Sequence, residues 1–176
     1  KQNGLTGGHY LEPYAGGAGV ALELLFHDHA SHVHINDLDP AVYAFWWAVT
    51  NETTSLLDLL DNTPISMDQW FKWRAILRGE VEVTAVERGF ATLFMNRTNR
   101  SGILKGGVIG GLAQDGSYKL DARFKKDVIT QRIQKIAIEQ ISADKGQPRY
   151  TFDDQSLIEL ADSIKIHGIL QPLVVT

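Results

Sequence analysis

Apolar positions along this chain switch between two periods. In "HYLEPY", His9 to Tyr14, and in "SHVHIND", Ser31 to Asp37, they fall at strand spacing, and between them "GVALELLFHDH" has helix spacing. The three segments predict a βαβ unit with parallel strands. Asp39-Pro40 then opens a helix over "AVYAFWWAVT", with Asp39 as N-cap and Pro40 in the first helical position. Further helices are predicted at Glu52–Leu60, at Met67–Leu77 behind a Ser66/Gln69 capping box, and at Thr84–Met95. Trp46, Trp47, Trp70 and Trp73 fall on these helices as packing residues. Gly102 to Gly116 reads as a long glycine-rich loop, and "ARFKKDVITQRIQKIA" as a basic amphipathic helix. Near Ile138 the character changes to a short strand, then "DKGQPRYTF", a helix over "DDQSLIELADSIKIHG" and a terminal strand in "LQPLVVT".

With 176 residues the chain can bury one ordinary core and a small second module. No apolar run approaches the roughly 20 residues of a membrane span, and no secretory signal pattern is present, so no membrane partner and a cytoplasmic location are expected. The absence of cysteine excludes disulfides and cysteine nucleophiles. His27, His29, His32 and His34 cluster in "HDHASHVHI", but no thiolate or carboxylate stands at motif spacing; they read as surface histidines, and no metal is expected. The net charge of −4 hides an asymmetry: Arg97 to Lys135 holds nine Lys or Arg against three Asp, a segment of +6 in an otherwise acidic chain. Such a stripe suits a phosphate backbone, and equally a solvated helix face with a lysine-bearing loop.

The candidate chemistry lies in "YLEPYAGGAGV". Gly16, Gly17 and Gly19 lack Cβ atoms, so backbone can turn sharply and approach a ligand, while the helix N-terminus behind them favours negative charge. Asp37, ending the second strand, is placed to accept hydrogen bonds from ribose hydroxyls. The pattern is not the dinucleotide G-x-G-x-x-G, and both a nucleoside cofactor and a tight structural turn fit it.

Three ordered motifs give residues 1–137 a resemblance to the DNA adenine methylase (D12) class of adenine-specific DNA methyltransferases. "LEPYAGGAGV" is similar to that class's first cofactor motif, "INDLDP" to its ribose-binding strand end, and "FATLFMNRTNRSGILKGGVIGG" to the segment leading into its DNA-contacting region. The resemblance implies a partial Rossmann-like α/β core with a helical DNA-contacting insertion, S-adenosylmethionine as cofactor and double-stranded DNA as partner. It implies cofactor contacts from Glu12, Pro13, Tyr14, Gly16, Gly17, Gly19 and Asp37. For DNA it implies Asn96, Arg97, Thr98, Arg100, Lys105, Lys119, Arg123, Lys125 and Lys126.

The chain also departs from that class. Methylation of the adenine amine there depends on an Asp/Asn-Pro-Pro-aromatic motif, which orients the nitrogen and stacks on the flipped base. The five prolines here, Pro13, Pro40, Pro64, Pro148 and Pro172, include no Pro-Pro pair, so no catalytic residue is assigned. In the class that motif would follow the helix ending near Ala137, and a lysine-bearing cofactor motif would precede residue 1. From Ile138 to Thr176 the chain instead resembles the start of the N-terminal domain of ParB-type partitioning proteins, carried by "QPRYTFDD" and "LADSIKIHGILQPLVV". That resemblance implies a small α/β fragment in which Gly168 to Pro172 forms part of a nucleotide pocket; as structure, Gly168 is also a good helix C-cap. Two functions are therefore expected: a methyltransferase-like protein that binds S-adenosylmethionine and DNA, or a non-catalytic DNA-binding or partition-associated protein.

Overall fold

Two parallel strands and six α-helices make up residues 7–136, the part of the chain described by the structure, which is a computed structural model. The chain divides into two units, Lys1–Ala143 and Asp144–Thr176. Every described residue belongs to the first; the strand near Ile138, the helix over "DDQSLIELADSIKIHG", the strand in "LQPLVVT" and the Gly168–Pro172 box lie outside the described residues.

Strand β1 (Gly8–Glu12) pairs in parallel with β2 (Ala30–Ile35), His9 opposite His32 and Glu12 opposite Ile35, and α1 (Gly19–Phe26) connects them. The expected βαβ unit is present. Helix α1 is shorter than its apolar pattern, because the chain turns at His27 and Asp28 takes a left-handed φ of 53°. Helix α2 (Pro40–Asn51) starts as expected, with the Asp39 carboxylate accepting from Ala41 N at 2.9 Å and Pro40 in the first turn.

Helices α3 (Thr53–Asn62) and α4 (Met67–Leu77) follow, and Ser66 Oγ caps α4 by accepting from Gln69 N. Helix α5 (Ala85–Thr98) is the centre of the unit, with every residue from Gly89 to Met95 buried. A helix apolar on all sides needs neighbours on all sides, and α2, α3 and α4 pack around it. Gly89 makes the closest approach possible: a Cβ there would lie 2.5 Å from Ala44 O and 2.9 Å from Ala48 Cβ. Trp73, Phe90, Phe94 and Phe124 form an aromatic chain through the core, with successive centroids 4.8, 6.0 and 5.2 Å apart. Helix α6 (Lys126–Lys135) adds Ile129 and Ile133 to that core.

A reciprocal capping box, unread in the sequence, starts α5. Thr84 Oγ1 accepts from Glu87 N, and the Glu87 carboxylate accepts from Thr84 N at 2.9 Å. The backbone and hydroxyl hydrogen bonds from Thr84 hold Glu87 below the usual carboxylate range. A depressed folded pKa contributes stability that is present above the unfolded value and lost as pH falls through the folded value. Thr84→Ala is therefore expected to cost about 1 kcal/mol at pH 7. In urea melts the difference from wild type should shrink as pH falls below about 4.3, the ordinary glutamate value.

Candidate cofactor turn and nucleic-acid interface

The β1–α1 turn is built around one residue, Gly16. Gly16 N donates to Asp37 Oδ2 at 2.8 Å, and Gly16 O accepts from Trp46 Nε1 at 2.9 Å, so the end of β2 and helix α2 grip it from two sides. Asp37 Oδ1 also accepts from Asp39 N, which ties the same carboxylate to the start of α2. Glu12, at the end of β1, accepts from Ala21 N at 2.9 Å and satisfies one of the unpaired donors of α1. Gly16 and Ala18 both take left-handed backbone with φ of 48°.

Sequence reading grouped Glu12, Gly16 and Asp37 as ligand contacts; the structure brings them together through hydrogen bonds to the turn itself. Each carboxylate retains lone pairs beyond these bonds. Pro13 and Tyr14 lie exposed on the approach to the turn. Trp46, expected only to pack, proves also to hold Gly16, a role legible only once α2 is laid against the turn.

Two features mark the turn as open to a ligand. Gly17 and Gly19 have no left-handed φ, and a Cβ on either meets nothing within 4 Å, so the surrounding protein does not demand glycine there. Among the described residues, no group accepts from the N–H of Gly17, Gly19 or Val20. A helix N-terminus that keeps free donors beside the Glu12 carboxylate suits a polar ligand. Leu38, 71% exposed beside Asp37, and Tyr14, 69% exposed, add apolar surface at its rim. These groups fit a nucleoside cofactor of the S-adenosylmethionine type, whose hydroxyls and carboxylate need acceptors and backbone donors.

Apart from Arg97, half-buried in the last turn of α5, the expected DNA contacts separate into three groups. Thr98 lies in the interior, fully buried, with Oγ1 donating to Phe94 O at 2.8 Å. Asn96 Nδ2 holds Gly102 O at 3.0 Å, and Lys126 Nζ donates to Asp61 O and Thr63 O at 2.8 and 2.9 Å, capping α3. Lys119 Nζ donates to Gln114 O. Arg100, Lys105, Arg123 and Lys125 are exposed. Among the described residues the ion pairs are His27–Glu23 and Arg78–Glu80, so no carboxylate pairs with any cation between Arg97 and Lys135.

Asn99 is the organising residue that sequence reading missed. Fully buried, it accepts from Trp70 Nε1 at 2.8 Å and donates to Ile103 O and Leu104 O at 2.9 and 3.0 Å. Its own carbonyl accepts from Gly102 N and, at 3.4 Å, from Arg123 Nη1. Arg100 N to Gly107 O and Ile109 N to Thr98 O then close the basic loop back onto the end of α5. Further along, Gln114 bonds Ile109 O, Gly111 O and Leu120 N. Two side-chain amides thus order the glycine-rich span.

The histidines form a separate surface. His9 Nδ1 lies 2.9 Å from His34 Nε2, and the His9 ring stacks at 4.5 Å on His32. Among the described residues no three His, Asp or Glu are arranged to hold a metal ion. No helix there is long and apolar enough to cross a membrane.

Residues 123–176 match the ParB N-terminal domain family. In this respect the chain is similar to the chromosome-partitioning protein ParB of Myxococcus xanthus, at 54% identity over 41 residues, 23% of this chain and 14% of that protein. It is similar to the nucleoid occlusion protein of Listeria monocytogenes at 44% over 45 residues, 26% and 16% of the two chains. The stage 0 sporulation protein J of Bacillus subtilis matches at 43% over 57 residues, 32% and 20%. The chain therefore spans 14% to 20% of the length of these relatives. The family match begins upstream of the junction read near Ala137 and takes in α6; residues 7–122 lie outside it.

Proposed function

We propose that this chain is a non-catalytic DNA-binding protein that joins a methyltransferase-like core to a ParB-type segment. The observation that carries the proposal is the surface running from Arg97 to Lys135, where nine cations meet no carboxylate partner among the described residues. Uncompensated cations held on an ordered loop and helix repel one another, and a phosphate backbone relieves that repulsion. The family match supports the same reading, because its relatives are named for chromosome partitioning and nucleoid occlusion. Arg100, Lys105 and Lys125 are the side chains best placed for phosphates, being exposed and uncommitted to the fold. Replacing all three with glutamine should lower the slope of log affinity against log salt by about 1 for each phosphate-binding cation removed. An unchanged slope in fluorescence anisotropy with a generic duplex would remove them from the interface. Lys126 is left out of that variant because its ammonium caps α3.

A second reading concerns the β1–α1 turn, as a binding site for S-adenosylmethionine on a partial Rossmann-like core of the D12 class. The glycines at 17 and 19, required by nothing around them, favour it. In this reading Asp37 holds the ribose, Glu12 orders α1, and the free N–H groups receive the polar end of the ligand. Losing a charged hydrogen bond costs about 1.5–3 kcal/mol, so Asp37→Ala is expected to weaken cofactor binding roughly tenfold to a hundredfold. Equal calorimetric affinity of wild type and variant would exclude Asp37 from the site. The Gly168–Pro172 box is retained only as a candidate nucleotide contact of the ParB-type segment.

A further inference from the structure

Strand register gathers three histidines onto one face of the sheet. Side chains alternate between the faces of a strand, so His9 and Leu11 of β1 share a side with His32 and His34 of β2, away from the side on which Val33 is buried. His32 stands opposite His9 and His34 opposite Leu11, which puts His34 on the diagonal from His9. His9 Nδ1 and His34 Nε2 meet at 2.9 Å, with ring planes 22° apart. On its other flank the His9 ring stacks on His32, whose Nδ1 engages Ser31 Oγ at 3.2 Å. The face is open: His9 and His32 are exposed, and Leu11 beside them is 42% exposed. The row His27, His29, His32 and His34 is visible in the sequence, whereas His9, 25 residues before His34, joins it only through pairing.

A neutral imidazole has one N–H and one lone-pair nitrogen. Between His9 and His34 one facing nitrogen donates and the other accepts. Moving that proton to the outer nitrogen of its own ring leaves two lone pairs side by side, with no net proton released, and a cation is what such a pair binds. The spacing selects the cation. An imidazole nitrogen lies about 2.0–2.1 Å from a bound transition-metal ion. At that length the 2.9 Å separation spans about 90° at the ion. This is the angle between neighbouring ligands in square-planar or octahedral coordination, which suits Cu²⁺ and Ni²⁺, whereas tetrahedral Zn²⁺ needs nitrogens about 3.3 Å apart.

We propose that His9 Nδ1 and His34 Nε2 chelate one divalent ion of the copper or nickel type on the open face of the sheet, tying β1 to β2. No third His, Asp or Glu among the described residues completes the set, so water takes the remaining positions. His32 is a positioning residue that holds the His9 ring by stacking. The site uses none of the residues assigned to DNA or to the cofactor turn.

The test is a calorimetric titration of nickel chloride into the intact 176-residue chain, with magnesium chloride at equal ionic strength as control. Saturable binding of one equivalent is expected for nickel and none for magnesium, which prefers oxygen ligands. His9→Asn and His34→Asn should each weaken nickel binding by more than the roughly tenfold that loss of a supporting residue costs. His32→Phe keeps a ring against His9 and should bind as wild type does, and so should a variant carrying both His27→Asn and His29→Asn. Saturating nickel should raise the Tm of wild type, because the ion binds only the paired strands, and should leave that of His9→Asn unchanged. A second measurement needs no variant: the electron paramagnetic resonance spectrum of the copper-loaded wild type, with ¹⁵N-labelled histidine, should show coupling to two imidazole nitrogens. Coupling to one nitrogen, undiminished nickel binding in His9→Asn or His34→Asn, or loss of binding in the His27 and His29 variant overturns the chelate. Coupling to three nitrogens, or loss of binding in His32→Phe, overturns the two-histidine assignment.

Discussion

The 176-residue chain is expected to transfer no methyl group from S-adenosylmethionine to adenine in duplex DNA. The exocyclic amine of adenine is a weak nucleophile, and orienting it against the methyl group accounts for a large part of the roughly 7–11 kcal/mol that positioning supplies. The resemblance assigns that orientation to an Asp/Asn-Pro-Pro-aromatic turn, and no two prolines here are adjacent. Asp144, Asp153 and Asp154 offer carboxylates, but none precedes a Pro-Pro pair. The β1–α1 turn does not replace the missing group. Glu12 and Asp37 are bound to backbone N–H groups that hold the turn, which suits them to organise a ligand rather than to position an amine. Mass spectrometry of duplex DNA incubated with chain and cofactor should show no N6-methyladenine above control; robust formation would show that another constellation orients the amine.

Asn99→Ala is expected to destabilise the first unit by about 2–4 kcal/mol and to loosen the basic loop. The substitution leaves Trp70 Nε1–H, in a residue only 1% exposed, without its acceptor. It also removes the donor to Ile103 O and Leu104 O. A buried donor left unpaired costs about 1–3 kcal/mol, and the two carbonyls add a smaller amount where water reaches them. Asn99→Ala should therefore lower Tm by roughly 5–15 °C for a chain of this size. Trp70→Phe removes the donor that Asn99 Oδ1 accepts, so the two substitutions should be less than additive in a double-mutant cycle. Strict additivity would mean that the Trp70–Asn99 bond does not hold the loop.

What was legible in the sequence was local. The helix at Met67–Leu77 matches its reading end to end, since Ser66 supplies the cap within three residues of where it acts. Asp39-Pro40 fixed the start of α2 for the same reason. Helix α5 runs on to Thr98, past the expected end at Met95, because the buried Thr98 hydroxyl finds a partner in its own helix and Asn99 N still bonds Met95 O. Features that depend on distant partners were not legible. Asn99 takes its meaning from Trp70, 29 residues away, and Gly89 from the backbone of Ala44. His9 joins His32 and His34 only through the strand register. The candidate turn was readable because its glycines and both acids lie within one βαβ unit. The basic stripe was readable as charge, but burial of Thr98 and the capping role of Lys126 are tertiary facts that charge does not report.

The most direct measurement is the affinity of the intact chain for two duplexes of unrelated sequence, taken by fluorescence anisotropy between about 50 and 200 mM salt. Phosphate contacts carry no base information and release counterions. Both duplexes should therefore bind with similar affinity, and log affinity should fall linearly with log salt at one shared slope. Absence of binding at the lowest salt, or an affinity that salt leaves unchanged, would contradict DNA binding through the surface from Arg97 to Lys135.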